Sequence, residues 1–165
     1  MKYKLRNGFE QLKSYASGEI AWPVKLDANE SSGGFPPLLQ TAVVTRLAQV
    51  PFNRYPDIGT NRLRTLLAEG LGFLAEQILI GNGSSEILAA LCHTFGGEGR
   101  AIIFPDPSFS MYATYAKLSD STPVPVHLEK DYSLKPEHIL QAAEQRGAAL
   151  IILCNPNNPT GTAMP

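Results

Sequence analysis

The chain has 165 residues, 44% of them hydrophobic, and a formal charge of −1. That length and composition suit one ordinary domain with a sizeable core and exclude a disordered chain. The charges are interspersed without a basic stripe, so nucleic acid and anionic membranes are not expected as partners.

The N-terminal stretch MKYKLRNGFEQLKSYASGEI lacks the apolar core of a signal peptide, and no run reaches membrane-spanning length. A cytoplasmic protein is expected. Cys92 and Cys154 stand in the apolar stretches LAALCHTF and LIILC, where they are expected to pack as small hydrophobes. Neither they nor His93, His127 and His138 show the short ligand spacings of a metal site.

The first fifty or so residues are loop-rich, and Gly33, Gly34, Pro36 and Pro37 lead into one predicted helix, Leu38–Gln49. Past Tyr55 the pattern is regular. A helix is predicted over Asn61–Leu71, with Leu63, Leu66, Leu67 and Leu71 on one face. A short strand, Ile78–Ile80, is followed by a helix over Ser84–Phe95. Then come strand Ala101–Phe104, helix Ser110–Leu118, strand Val124–Leu128, helix Pro136–Arg146 and strand Ala149–Leu153.

Strands alternating with helices at this spacing mark βαβ units, so the class is α/β with a mostly parallel sheet. The run ALIILC is apolar without alternation, as expected of a strand covered on both faces. A doubly wound sheet needs further units to close its core, and the chain is therefore expected to be part of a longer protein.

Ligands of open α/β sheets bind where strands end and helices begin, and three such loops stand out. In Gly81-Asn82-Gly83-Ser84-Ser85-Glu86, the glycines allow close backbone approach. The amides of Ser84 and Ser85 would lie in the first helical turn, where the dipole favours an anion. Taken alone, this loop serves equally well as a tight turn with a serine cap. The second loop, Pro105 to Tyr112, could offer Phe109 to a flat ring, although Phe109 and Tyr112 taken singly read as core residues. The third, Asn155-Pro156-Asn157-Asn158-Pro159-Thr160-Gly161, combines a proline-stiffened backbone with three neutral carboxamides, and reads as a binding loop. Each of its X-Pro bonds is a possible cis bond.

Together the stretches LKSYASG, KLDANES, NRYPD, LIGNGSSEIL, FPDPSFSMY and CNPNNPTGT resemble the fold-type-I enzymes that depend on pyridoxal 5′-phosphate (PLP). This is the aspartate aminotransferase superfamily, and the branch most resembled is that of the histidinol-phosphate aminotransferases. The resemblance covers nearly the whole chain. It implies an N-terminal arm and the start of a small domain in residues 1–50, and the first part of the PLP-binding large domain in 51–165.

It also implies roles. Gly83, Ser84 and Ser85 match the loop that holds the cofactor phosphate, Phe109 the aromatic that stacks on the pyridine ring, and Asn158 the donor to its phenolic oxygen. Tyr55 matches a tyrosine that reaches the cofactor of a neighbouring subunit, which implies a homodimer. Tyr15 and Asn29 match positions near the substrate. The implied reaction passes an amino group between L-histidinol phosphate and a 2-oxo acid, 2-oxoglutarate, by way of PLP.

The resemblance further implies a lysine downstream of the third loop that forms the covalent bond to PLP. None of Lys2, Lys4, Lys13, Lys25, Lys117, Lys130 and Lys135 has a matching context, so the 165-residue chain is expected to be inactive alone. Also implied downstream are an aspartate for the pyridine nitrogen, a second phenolic-oxygen partner and arginines for phosphate and carboxylate. Ser31-Ser32 stand where the family continues Asn-Pro. That departure leaves open a threonine-phosphate decarboxylase or an aromatic aminotransferase of the same superfamily. A non-catalytic interaction protein is the reading from another class.

Overall fold

A computed structural model describes residues 23–26, 28–31 and 33–164, together with Phe9. Tyr15 lies outside the described residues. Two compact units divide between residues 78 and 79.

The described part of the first unit holds helix α1 (Pro37–Leu47), helix α2 (Asn61–Leu71) and a 3-10 turn, Ala75–Gln77. The Arg64 guanidinium ties α2 to that turn by donating from Nε to the Ala75 carbonyl at 2.9 Å. Leu63, Leu66, Leu67 and Leu71 do share a face of α2, but all four are exposed, and Ala68 alone on this helix is buried. The strand expected over Ile78–Ile80 does not form: Ile78 is extended, but the three residues have no ladder partner among the described residues. An apolar β-prone run becomes a strand only when another strand takes its backbone hydrogen bonds.

The second unit contains helix α3 (Gly83–Phe95), strand β1 (Ala101–Asp106), helix α4 (Met111–Leu118), strand β2 (Thr122–His127), helix α5 (Pro136–Arg146) and strand β3 (Ala148–Ile151). All three strands are parallel, in the order β2-β1-β3. Parallel neighbours need a crossover, which α4 and α5 supply. The bounds of α5 match those predicted because both ends carry signals. Pro136 opens the helix at its first position, and Gly147 takes the left-handed conformation (φ 59°) that ends it.

β1 is the central strand, and the core forms on it. Ile102 and Ile103 are fully buried, and a cluster of Cys92, Ile102, Phe104, Tyr112, Tyr115, Ala116 and Ile152 joins α3, α4 and the sheet. Cys92 packs as a buried free thiol, and burial raises its pKa. Proline is placed where it removes no ladder bond. Pro123 and Pro125 stand in β2, an outer strand. Pro105 of β1 lies beyond the last pair with β3, Ile103↔Ile151. Residues 103 and 105 point their backbone groups the same way, and the Ile103 carbonyl faces Ile152, so the missing N–H at 105 falls where pairing with β3 has ended.

The expectation that ALIILC is covered on both faces is corrected. Ile151 is 38% and Leu153 52% exposed, and with Leu140 and Met164 they line an open apolar groove of about 480 Å³ between β3 and α5. The apolar run belongs to the outer strand of the described sheet, whereas β1 is the strand covered on both faces. No helix among the described residues is long and apolar enough to cross a membrane.

Candidate functional site

The parallel strands β1 and β3 end at one edge of the sheet, and the second and third loops leave from that edge. The two loops are joined directly. The Ser108 hydroxyl donates to Asn157 Oδ1 at 2.7 Å, and Asn157 Nδ2 donates to the Pro107 carbonyl at 3.0 Å. The third loop also closes on itself, through Gly161 N–H to the Asn157 carbonyl at 2.7 Å and Asn157 N–H to the Thr162 carbonyl at 2.8 Å. Both of its X-Pro bonds are cis, as is Asp106–Pro107 in the second loop.

The first loop faces the same edge for a topological reason. The chain leaves α3 at Phe95 and enters the start of β1 at Ala101, where Arg100 Nη1 donates to the Phe95 carbonyl at 2.9 Å. Packed on the core through Leu88, Ala89 and Cys92, α3 therefore runs back across the sheet, and Gly83 lies toward the edge where the strands finish. A helix of 13 residues spans about 20 Å, enough to cross the sheet.

The α3 N-terminus has the makings of an anion cradle. Gly83 is left-handed (φ 73°), with open space where a Cβ would stand. Ser84 and Ser85 are exposed, and no side chain caps the helix, so their first-turn amides lack intrahelical acceptors. Glu86 turns its carboxylate back to accept the Asn82 N–H. One acidic group therefore borders the cradle but is already engaged by backbone.

Phe109 is half-buried and packs in a T-shaped arrangement with Tyr112, ring centroids 5.6 Å apart and planes at 82°. Tyr112 is a core residue, 6% exposed, that also packs on Phe104 at 6.0 Å. The two aromatics thus divide the readings available from sequence: Tyr112 supports, and Phe109 is left partly accessible. Asn158 is half-buried, its N–H meets Cys154 Sγ at 3.4 Å, and its carboxamide makes no hydrogen bond among the described residues. A half-buried, uncommitted carboxamide, an accessible ring and an uncapped helix N-terminus fit a flat phosphorylated heterocycle.

Tyr55 and Asn29 belong to the other compact unit. Tyr55 is 95% exposed. Asn29 is exposed and left-handed (φ 52°), a conformation that asparagine tolerates. Two residues of the second unit were not marked by the sequence, Ser108 and Asn157. Asn157 is one of three asparagines in its loop, and nothing in their order shows which one turns inward.

Burial, and after it the Cys154 thiol beside the ring, raises the Tyr112 phenol above its ordinary pKa. A phenol whose pKa is higher folded than unfolded contributes stability that is complete below the unfolded value, roughly 10, and is lost as pH rises past it. Denaturation between pH 8 and 11 is therefore expected to show a steeper alkaline loss of stability in the wild type than in Tyr112→Phe. Parallel curves for the two proteins would refute the raised pKa.

A family model described as aminotransferase class I and II matches residues 23–165. The chain is 41% identical over 167 residues to a histidinol-phosphate aminotransferase of Desulfitobacterium hafniense, covering 98% of this chain and 46% of that protein. It is 37% identical over 151 residues to a histidinol-phosphate aminotransferase of Pyrococcus furiosus, covering 92% of this chain and 44% of that one. The chain thus spans less than half the length of these curated relatives. Among solved structures it is similar to histidinol-phosphate aminotransferase from Sinorhizobium meliloti in complex with PLP. The TM-score is 0.73 at 25% identity, with 80% of this chain and 35% of that one covered. A Thermus thermophilus aspartate aminotransferase double mutant gives a TM-score of 0.72 at 25% identity, covering 84% and 38%. With the family model matching most of its length, this chain belongs to the class I and II aminotransferase family.

Proposed function

We propose that the complete protein is a PLP-dependent aminotransferase that exchanges an amino group between L-histidinol phosphate and 2-oxoglutarate. The products are imidazole-acetol phosphate and L-glutamate, and the reaction belongs to histidine biosynthesis in the cytoplasm. The single observation that carries this reading is the family match over residues 23–165, joined by relatives of that name at 37% and 41% identity.

In this reading the α3 amides and the Ser84 and Ser85 hydroxyls bind the cofactor phosphate, with Gly83 letting the backbone approach. Phe109 covers one face of the ring and keeps water from it. Asn158 donates its side-chain N–H to the phenolic oxygen and holds electron density there. When bound, PLP supplies the electron sink that makes a proton on the amino-bearing carbon acidic. Tyr15 and Asn29 contact substrate, and Tyr55 reaches the phosphate held by a neighbouring subunit, so the working unit is a homodimer. The lysine that forms the covalent bond to the cofactor belongs to the part of the protein beyond this chain.

The test is the complete protein loaded with PLP and given 2-oxoglutarate. Glutamate should form with histidinol phosphate at a higher kcat/KM than with phenylalanine, and threonine phosphate should release no carbon dioxide. A preference for phenylalanine, or decarboxylation of threonine phosphate, would replace the substrate assignment; inertness toward all three would remove the enzyme reading.

A further inference from the structure

We propose that Asn157 is a positioning residue that sets Phe109 and Asn158 in fixed relation to each other. The proposal rests on the cofactor-binding reading of those two residues.

Asn157 is 4% exposed, and its carboxamide is matched on both sides. Oδ1 accepts the Ser108 hydroxyl at 2.7 Å. Nδ2 donates to the Pro107 carbonyl at 3.0 Å and to Thr160 Oγ1 at 2.9 Å. The bonds to Pro107 and Ser108 cross 50 and 49 residues of sequence, from the loop after β3 to the loop after β1. Each end of the clasp adjoins a residue assigned to the cofactor: Phe109 follows Ser108, and Asn158 follows Asn157. A side chain that accepts once and donates twice is needed at this place. Aspartate keeps the acceptor but sets a carboxylate against the Pro107 carbonyl, and alanine makes none of the three bonds.

The two ends act on different parts of a bound ring. Phe109 governs how firmly it is held, and Asn158 governs electron density at the phenolic oxygen. Loosening the clasp should therefore change both affinity and the electronic state of the cofactor. Loss of stability by itself does not predict the second effect.

The experiment uses the complete protein with PLP as the probe. Asn157→Ala is expected to weaken PLP retention about tenfold or more, and to shift the visible absorption maximum of the bound cofactor and the pH midpoint of that band. Ser108→Ala removes one of the three bonds and should shift the midpoint in the same direction by less. Ile102→Val, a core change on β1 outside both loops, should lower the melting temperature without a spectral shift. If wild type holds PLP and both loop variants keep its spectrum and midpoint, the positioning role is overturned. If Asn157→Ala does not fold, Ser108→Ala decides: an unchanged midpoint overturns the role and a shifted one supports it. A wild type that holds no PLP at all overturns instead the reading on which the proposal stands.

Discussion

Replacing Ser84 by aspartate in the complete protein is expected to lower PLP affinity by two orders of magnitude or more while leaving the fold intact. The position lies in the first turn of α3, where no side chain caps the exposed N–H groups. For the helix a carboxylate there is favourable, by about 0.3–1 kcal/mol, because it faces the positive end of the dipole. For a bound phosphate it is the opposite. A like charge about 4 Å away opposes binding by roughly 4 kcal/mol at an effective permittivity near 20, and about 1.4 kcal/mol is a factor of ten in affinity. Ser84→Ala removes one hydroxyl and should cost tenfold or less. A fluorescence titration with PLP, paired with thermal melts of the cofactor-free protein, measures both effects. Unchanged affinity in Ser84→Asp would show that the α3 N-terminus does not hold the phosphate. A lowered melting temperature would mean that the residue has a structural role that its exposure does not reveal.

Ile102→Ala should destabilise the complete protein by about 2–5 kcal/mol, the range for emptying a large aliphatic site in a packed core. Ile102 is fully buried on the central strand and belongs to the cluster that unites α3, α4 and the sheet. Because β1 is covered on both faces, its neighbours have little room to collapse into the cavity. Against a domain stability of about 5–15 kcal/mol, such a loss is large. Ile102→Val, which removes one methyl group, should cost about 0.5–1.5 kcal/mol. Urea denaturation monitored by circular dichroism provides the comparison. A loss below 1 kcal/mol for the alanine variant would mean that the site is not tightly packed.

Much of this was legible in the residues. Asn61–Leu71 and Pro136–Arg146 were predicted to the residue because periodic leucine and isoleucine positions are closed by terminal signals: Gly72 after the first, and Pro136 and Gly147 around the second. The strand at Ala101 was visible as a β-branched run, and the loops after it and after β3 as proline-rich breaks. The structure extends that strand to Asp106, because β2 continues to pair with it through Pro105. Other features were not legible. Ile78–Ile80 and Ala101–Phe104 are both short apolar runs, and among the described residues only the second pairs with other strands. ALIILC looked doubly covered, yet two of its side chains face an open groove.

The residue types in the three loops determined, by themselves, which chemistry the chain could support: backbone amides for an anion, an aromatic face for a ring and carboxamides for a polar edge. Local preference and hydrophobic period also determined the alternation of helix and strand, since both depend on neighbours within a few residues. The tertiary structure alone decided that Asn157 turns inward to clasp Ser108 while Asn158 stays uncommitted, that Tyr112 is core while Phe109 is partly open, and that β1 is the central strand. Each of these depends on partners from the other loop, strand or helix, up to 50 residues away in sequence. A short local pattern does not encode which group will arrive there to accept a hydrogen bond or exclude water.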